Sequence, residues 1–285
     1  MTQGIEQKTA ERGMPRVIVI KPPHGWTALN LRDLWNYREL IGFMTWRDII
    51  VRYKQTLLGV LWAILRPVLT MVVFSLIFGG LAKLPSDNIP YPIFSFAAIL
   101  PWELFSKALS DASRSLVQNS SMITKIYFPR MILPLASVIS GLVDFMIALI
   151  ILIVMMLFYR ITPTSNIWML PLFLILALAT SLGVGLWLSA ANVIYRDINY
   201  ILPFITQLWL YITPVAYSNT LIPEQWQFVY AMNPMAGVVQ GFRWVLLGTD
   251  APGNLIWVSV GVAVIVLVTG LFYFKRMERQ FADLV

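Results

Sequence analysis

The chain has 285 residues, of which 58% are hydrophobic and only 12% are charged, and its mean hydropathy is +0.73. A soluble domain of this size would be about half apolar and a quarter charged, so the composition predicts a polytopic membrane protein with a single membrane domain. The net charge of +7 does not indicate nucleic-acid binding, because the basic residues lie beside apolar stretches, where lipid and topology explain them. Since cysteine is absent, a disulfide framework, a thiolate metal site and a thiol nucleophile are excluded.

Residues 1–29 are polar and are predicted to form a cytoplasmic leader. The only histidine, His24, follows two prolines and is interpreted as a turn residue. A lone histidine makes no metal site, so we expect no metal and no resident cofactor in this chain.

Residues 30–60 are predicted to form an amphipathic helix that lies on the membrane surface. The apolar side chains of this helix share an arc of about 100°: Trp46, Ile49, Ile50, Tyr53 and Leu57. Its charged side chains lie outside that arc: Arg47, Asp48, Arg52 and Lys54. Aromatic rings on such a helix enter the acyl boundary, while basic groups meet anionic headgroups.

The rest of the chain is predicted to be an all-α membrane domain, residues 61–274, followed by a cytoplasmic tail, residues 275–285. Six apolar stretches have the length of about 17–25 residues that a bilayer requires: 61–82, 92–112, 130–158, 168–193, 201–217 and 254–274. Lys and Arg are concentrated before the first span, between spans 2 and 3, and in the tail. The positive-inside rule therefore predicts that both termini are cytoplasmic.

Two cytoplasmic connections carry distinctive polar residues. The loop 111–130 is helix-capable and basic, with Arg114, Lys125 and Arg130, and it joins two spans, so a force on it moves both. The turn between spans 4 and 5 contains Arg196 and Asp197, which we interpret as positioning groups. A simply solvated loop remains the alternative for 111–130.

The region 218–253, on the opposite side, contains two apolar pieces that are too short to cross a bilayer. Pro223 and Asn233-Pro234 are typical helix starts. Apolar segments of about 10–14 residues favour re-entrant helices, and non-helical backbone at that depth must border protein or water. The prediction is a re-entrant hairpin beside a translocation path, with a purely structural plug as the alternative.

Aromatic residues are abundant, with 11 Trp, 11 Tyr and 16 Phe. Their rings offer stacking faces for sugars, although an interfacial aromatic belt explains any single one of them equally well. The predicted substrate path comprises Trp102, Phe105, Trp209, Tyr211, Tyr217, Trp226, Phe228, Tyr230, Asn233 and Arg243.

No catalytic constellation is found in the sequence. Asp144 is the only acid well inside a span, and it is predicted to face a neighbouring helix. Packing against hydroxyl groups such as those of Ser137 or Ser140 and a role in transport both remain open for it. A phosphate-binding loop requires a Gly-Lys step, which this sequence lacks, so ATP chemistry would need a separate polypeptide.

Several motifs resemble those of the membrane subunit of ABC transporters that export O-antigen and related polysaccharides. The motifs are G-W-x-A-L-x-L-R-D-L-W-x-Y-R-E-L from residue 25, R-D-I-x-V-R-Y-K-Q-T-x-L-G-x-x-W-x-x-L-x-P from residue 47, L-V-D-F around Asp144, the Y-R-D-I-N-Y turn from residue 195, and N-P-M-A-G-x-x-x-G-F-R-W-x-L-L-G from residue 233. The resemblance covers nearly the whole chain and follows the family's order.

This resemblance implies a homodimer in the bacterial inner membrane, working with two copies of an ABC ATPase that binds ATP and Mg²⁺. It places a coupling helix in 111–130 and implies that the polar residues of the interface helix and of the cytoplasmic loops transmit movement from the ATPase. The implied substrate is a lipid-linked glycan on an undecaprenyl diphosphate carrier. Teichoic acid, capsule or a smaller hydrophobic substrate remain alternatives. A membrane enzyme acting on lipid-linked sugars is the alternative of another class, but it requires clustered acids or metal ligands near one interface.

Overall fold

The computed structural model describes residues 31–54, 59–278 and 281. The predicted leader 1–29, the short stretch 55–58 and most of the end of the tail lie outside the described residues. Within the described ranges every regular element is a helix, which confirms the all-α prediction.

Eleven α-helices follow one another in the described part of the chain: α1 Leu31–Asn36, α2 Arg38–Lys54, α3 Gly59–Phe74, α4 Tyr91–Gln118, α5 Ser120–Ile123, α6 Ile132–Tyr159, α7 Leu170–Ile194, α8 Ile198–Ile212, α9 Glu224–Ala231, α10 Pro234–Leu247 and α11 Ile256–Met277. A π-helical stretch, Ser75–Leu81, continues α3. Short 3₁₀ turns, Ile167–Met169 and Asn219–Leu221, precede α7 and α9.

Five of these stretches are long and apolar enough to cross a membrane: Leu61–Leu81, Tyr91–Gln118, Ile132–Tyr159, Ile167–Ile194 and Ile256–Met277. The sixth predicted span, 201–217, corresponds to α8, which is shorter and ends at Ile212. The helix ends there because Thr213 precedes Pro214, and a residue before proline is driven into the extended conformation that Thr213 adopts (φ −79°, ψ 136°).

Helix α4 is the centre of the bundle. About 78% of its most apolar window is buried, against 11–33% in the other four candidate spans. It packs against α6, α7, α10 and α3. The predicted span ended at residue 112, but α4 continues to Gln118 because Ala112, Ser115 and Leu116 are buried and extend its packed face. The predicted coupling loop therefore begins as the last two turns of α4.

Helices α7 and α11 approach closely at a glycine contact. A β-carbon on Gly183 would lie 2.7 Å from the Cα of Leu267, a distance that no side chain can occupy. Small residues at such a contact let two membrane helices pack backbone to backbone.

The predicted helix starts after residue 218 are confirmed. Helix α10 begins with Asn233, whose side chain accepts a hydrogen bond from the Met235 N–H at 3.1 Å, and with Pro234 in its first turn. It ends at Gly248, which adopts the left-handed conformation (φ 75°) that favours glycine. The re-entrant depth of α9 and α10 stays a prediction.

Candidate functional site

The central helix α4 runs from one end of the bundle to the other. Near its beginning, the hydroxyl of Tyr91 donates a hydrogen bond to the carbonyl of Ala216. Near its other end, Asp111 accepts a hydrogen bond from Arg52 of α2 at 3.0 Å. Twenty helical residues span about 30 Å, so the Tyr91 end and the Asp111 end lie about one membrane thickness apart.

Arg52 links three helices at the Asp111 end. Its Nη1 donates to Asp144 Oδ2 of α6 at 2.7 Å, and its Nη2 donates to Asp111 Oδ2 of α4 at 3.0 Å. The same guanidinium lies 3.3 Å from Ser140 Oγ. A planar guanidinium presents several donors in fixed directions, so one arginine can join two carboxylates and thereby hold α2 against α4 and α6.

Asp144 receives two further groups. The Tyr53 hydroxyl donates to Asp144 Oδ1, and the Lys107 ammonium lies 3.4 Å from Asp144 Oδ2. Burial, and then the hydrogen bond to Asp144, raise the pKa of Tyr53, so this hydroxyl keeps its proton at neutral pH and serves as a donor. We call Arg52, Tyr53, Lys107, Asp111 and Asp144 the Arg52 cluster. Two cations and two carboxylates balance in it.

Asp144 has two charged partners, because Arg52 and Lys107 both reach it. The expectation that it faces a neighbouring helix is confirmed, since α2 and α4 both contribute its partners. Its nearest hydroxyl donor is that of Tyr53.

Helix α2 turns part of its charged side, with Arg52, toward the protein and part of its apolar side away from it. Met44 is buried, whereas Phe43 and Trp46 are 63% and 61% exposed. Arg47 and Asp48 pair with each other at 2.7 Å, and their coupling to an ATPase stays a prediction. An exposed tryptophan opposite a protein-facing charged stripe is the arrangement that an interfacial helix requires.

A cavity of about 290 Å³ lies beside the Arg52 cluster, between α2, α3, α4 and α6. On its wall, Arg66 Nε of α3 lies 3.2 Å from Glu103 Oε2 of α4. The Arg66 side chain is 64% exposed and that of Glu103 is 23% exposed. Four charged residues of otherwise apolar helices thus line one cavity: Arg66, Glu103, Lys107 and Asp144.

Exposed side chains form a second feature of the Asp111 end. In the loop after α5, Lys125 is exposed together with Ile126 and Tyr127. In the turn between α7 and α8, Arg196 and Asp197 are exposed, and they form no ion pair with each other. Reciprocal side-chain hydrogen bonds between Asn192 and Asn199 close this turn, and Asn192 also donates to the Ser113 carbonyl of α4 at 2.9 Å.

The other two basic residues of the predicted coupling loop are partly enclosed. Arg114 is half-buried, and its Nε has no hydrogen-bond acceptor among the described residues. The Arg130 guanidinium donates a hydrogen bond to the carbonyl of Glu278 and lies over the Phe281 ring. The backbone N–H of Arg130 donates to the Glu278 carboxylate at 3.0 Å. Arg130 therefore ties the loop to the end of α11, and Lys125 is the basic group that stays exposed.

Three predicted channel residues lie in the interior of the chain. Trp102 is 4% exposed and Phe105 is fully buried. The ring centroids of Phe105 and Trp209 are 4.9 Å apart. A lining role does not fit Trp102 or Phe105, because the core packs around both rings.

Arg243 is the third of these residues, and it is 4% exposed. Its guanidinium stacks 3.6 Å from the Phe94 ring centroid and donates to the carbonyls of Pro214, Val215 and Tyr217 at 2.6–3.0 Å. These carbonyls belong to the non-helical segment after α8, which has few backbone partners of its own. Arg243 therefore satisfies irregular backbone, and its contact with a substrate stays a prediction.

The remaining aromatic residues of the predicted path cluster at the Tyr91 end. Asn233 joins α8 to α10, since its side chain accepts from Trp209 Nε1 at 3.0 Å and donates to Thr213 Oγ1 at 2.9 Å. The Tyr217 hydroxyl donates to that of Tyr230 at 3.1 Å. Three rings are more than half exposed: Tyr211, Trp226 and Phe228.

Sequence reasoning missed two of the five members of the Arg52 cluster and the contacts among all of them. Lys107 and Asp111 belong to α4, and neither was assigned a partner from the sequence. The available signal was the number of charges within or beside the second and third spans, because ionisable groups at that depth must face one another or water. The sequence does not indicate which of them meet.

Residues 39–247 match the family described as ABC-2 type transporter. The chain belongs to this family. It is 28% identical to the O-antigen export system permease protein RfbA of Myxococcus xanthus over 257 residues, which cover 89% of this chain and 98% of the relative. It is 27% identical to the RfbA protein of Klebsiella pneumoniae over 87% of this chain and 95% of the relative. The polysialic acid transport protein KpsM of Escherichia coli is 25% identical over 82% and 91%.

Membership of the ABC-2 family makes the chain a multi-pass membrane subunit of an ABC transporter, which works with an ABC ATPase. Permeases of this kind are not enzymes themselves. The family match includes α2 and ends with α10, so the Arg52 cluster and the Tyr91 end both lie within the matched region.

Proposed function

We propose that this chain is the permease of an ATP-driven exporter that moves a lipid-linked polysaccharide, O-antigen or a similar glycan, across the bacterial inner membrane. The observation that carries the proposal is the similarity to two O-antigen export permeases along almost their whole length, 95% and 98% of each. A capsule polysaccharide is the second candidate, because the KpsM and CtrC proteins, named for polysialic acid transport and capsule polysaccharide export, match over 91% and 93% of their lengths.

The ATPase is proposed to dock at the Asp111 end. Lys125, Ile126 and Tyr127 are exposed there, as are Arg196 and Asp197 of the α7–α8 turn. A basic side chain flanked by two exposed apolar ones suits a protein partner, since aromatic residues supply the central contacts of interfaces and charges orient the partners. On this proposal the Asp111 end is cytoplasmic, as the positive-inside rule predicts.

The Arg52 cluster is proposed to transmit the movement of the ATPase. One docking segment follows α4 and α5 and the other follows α7, while Arg52 fixes α2 to Asp111 near the end of α4 and to Asp144 within α6. A displacement of the end of α4 would therefore reach the interfacial helix and the first span through one guanidinium.

A second copy of the chain is proposed to pack along α8. This helix has 15 residues and is about 22 Å long, too short to cross a hydrocarbon core of about 30 Å by itself. Its exposed face has helical spacing and is aromatic: Tyr200, Phe204, Leu208 and Tyr211. A homodimer with this face at its interface would place the glycan path between the two copies, next to the rings of α9.

The function is tested by deletion of the gene in its own host. Surface polysaccharide should disappear while the lipid-linked glycan accumulates inside the cell, and the wild-type chain should restore both. The purified chain alone should not hydrolyse ATP, whereas its complex with the cognate ATPase should. Unchanged surface polysaccharide after deletion, with no intracellular glycan, would refute the proposed substrate class.

A further inference from the structure

A cavity of about 280 Å³ lies at the Tyr91 end, among α9, α10 and the start of α11. Its wall is unusually polar for a chain in which 58% of residues are hydrophobic. Five of the surrounding segments contribute a carboxylate or an amide: Asp87 before α4, Asn219 of the 3₁₀ turn, Gln227 of α9, Gln240 of α10 and Asp250 after α10. This cavity lies at the other end of the bundle from the one beside the Arg52 cluster.

Four of these five side chains make no hydrogen bond within the described residues. The Asn219 Oδ1 atom is buried and has no donor. The side chains of Gln227, Gln240 and Asp250 likewise take part in no hydrogen bond or ion pair there. Only Asp87 has a partner, the Ser218 hydroxyl at 2.9 Å. A buried polar atom without a partner costs free energy, so Asn219 Oδ1 favours a donor from outside the chain, and the exposed side chains of Gln227 and Asp250 are available to bind the same ligand.

The charges on the wall disfavour an anion. Asp87 and Asp250 supply two carboxylates, and Arg243, a cation on this wall, already donates to backbone carbonyls. A divalent cation such as Ca²⁺ requires about 6–8 oxygen ligands, and no group of three or more acidic, His or Cys side chains that suits a metal occurs in the described residues. The lining therefore suits a neutral ligand that has many hydroxyl groups.

An aromatic ring completes the site. Tyr230 lines the cavity, and its hydroxyl is fixed by that of Tyr217 at 3.1 Å. The face of an aromatic ring is negative, so it attracts the weakly positive C–H bonds of a sugar ring, while carboxylates and amides bind the hydroxyl groups. The volume lies near the lower limit of ligand pockets, about 300–1,000 Å³, which suits one or two sugar units.

We propose that this cavity is a binding subsite for a neutral sugar unit. The proposal deepens the proposed function and rests on it for the source of the sugar, a glycan that leaves the path at the Tyr91 end. Binding of a sugar to the cavity is an equilibrium between free and bound ligand, so it can be measured without transport.

The test is saturation-transfer NMR on the complete transporter complex in nanodiscs, with the methyl glycosides of glucose, galactose, mannose, rhamnose and N-acetylglucosamine as probes and the methyl glycoside of sialic acid as the anionic comparison. At least one neutral glycoside should bind, and the sialic acid glycoside should not. Gln227→Ala and Asp250→Asn should each weaken that binding about tenfold. Gln225→Ala is the matched control, because Gln225 belongs to the same helix and is exposed but does not line the cavity.

Absence of binding by every neutral glycoside, or equal binding by Gln227→Ala and Gln225→Ala, would overturn the subsite. Surface polysaccharide measured in the same variants separates this result from the proposed function. If export requires the chain but no glycoside binds, only the proposed subsite is refuted. If a glycoside binds at the cavity but deletion of the chain leaves surface polysaccharide unchanged, only the proposed export of that glycan is refuted.

Discussion

Removal of Arg52 should destabilise the chain more than removal of any exposed cation. The side chains of Arg52, Asp111 and Asp144 are 22%, 38% and 17% exposed, so the cluster is intermediate between surface and interior. Breaking a buried ion pair costs about 3–5 kcal/mol, and an exposed pair is worth about 0.2–1 kcal/mol. For Arg52→Gln we expect a loss of about 2–3 kcal/mol in the free energy of unfolding.

Charge balance explains why the loss is this large. With Arg52 present, two cations face two carboxylates; without it, Lys107 alone faces Asp111 and Asp144, which leaves a net charge of −1. Asp111 loses its ion pair, and α2 loses its attachment to α4. Arg52→Lys should fall between wild type and Arg52→Gln, because an ammonium is a point charge that does not bridge two carboxylates as a planar fork does.

A double-mutant cycle with Asp144→Asn isolates the pair. The measurement is SDS-induced unfolding in mixed micelles, followed by far-UV circular dichroism. If Arg52 and Asp144 act together, the double variant should lose about 1–2 kcal/mol less than the sum of the two single variants. Lys54→Gln serves as the control, because Lys54 is exposed on the same helix and makes no ion pair among the described residues. Additive losses, or a loss for Lys54→Gln that equals that for Arg52→Gln, would refute the reasoning.

Three further predictions concern other parts of the chain. Lys125→Glu combined with Tyr127→Ala should weaken co-purification of the ATPase at least tenfold, with membrane insertion unchanged; normal recovery of the complex would favour a solvated loop. Trp226→Ala combined with Tyr230→Ala should slow export with normal protein level and ATPase assembly, whereas joint loss of assembly would favour a structural plug. Gly183→Val should lower the melting temperature in detergent by several degrees, since its β-carbon would lie 2.7 Å from Leu267 Cα; an unchanged melting temperature would show that α7 and α11 separate at little cost.

The all-helical class could be predicted from composition because few backbone structures can cross a bilayer. A lipid-exposed backbone must satisfy its own hydrogen bonds, so long apolar stretches become helices. The start and end of α10 were equally readable, since Asn233, Pro234 and Gly248 each have a local conformational preference that the fold respects.

The end of α8 was also set by a local signal, but apolar content obscured it. Thr213 and Pro214 interrupt a stretch that hydropathy alone continues to residue 217. Arg243 then contributes the donors that the interrupted backbone needs, from a position 26–29 residues further along the chain. An arginine in an apolar helix predicted a substrate contact, whereas its donors are used by carbonyls of the same chain.

The Arg52 cluster was not predictable because its members are 59 and 92 residues apart in sequence. Periodicity assigned Arg52 to a polar stripe, and an interfacial helix can turn such a stripe toward headgroups or toward protein. The number of charged residues that the spans place at the same depth decides whether the polar stripe faces headgroups or protein. Lys107, Asp111 and Asp144 each carry a desolvation cost beside apolar helices, and a shared guanidinium lowers that cost for both carboxylates. The interfacial helix is therefore held by the very charges that the membrane domain has to neutralise, and its position depends on the end of α4, where the exposed loop begins.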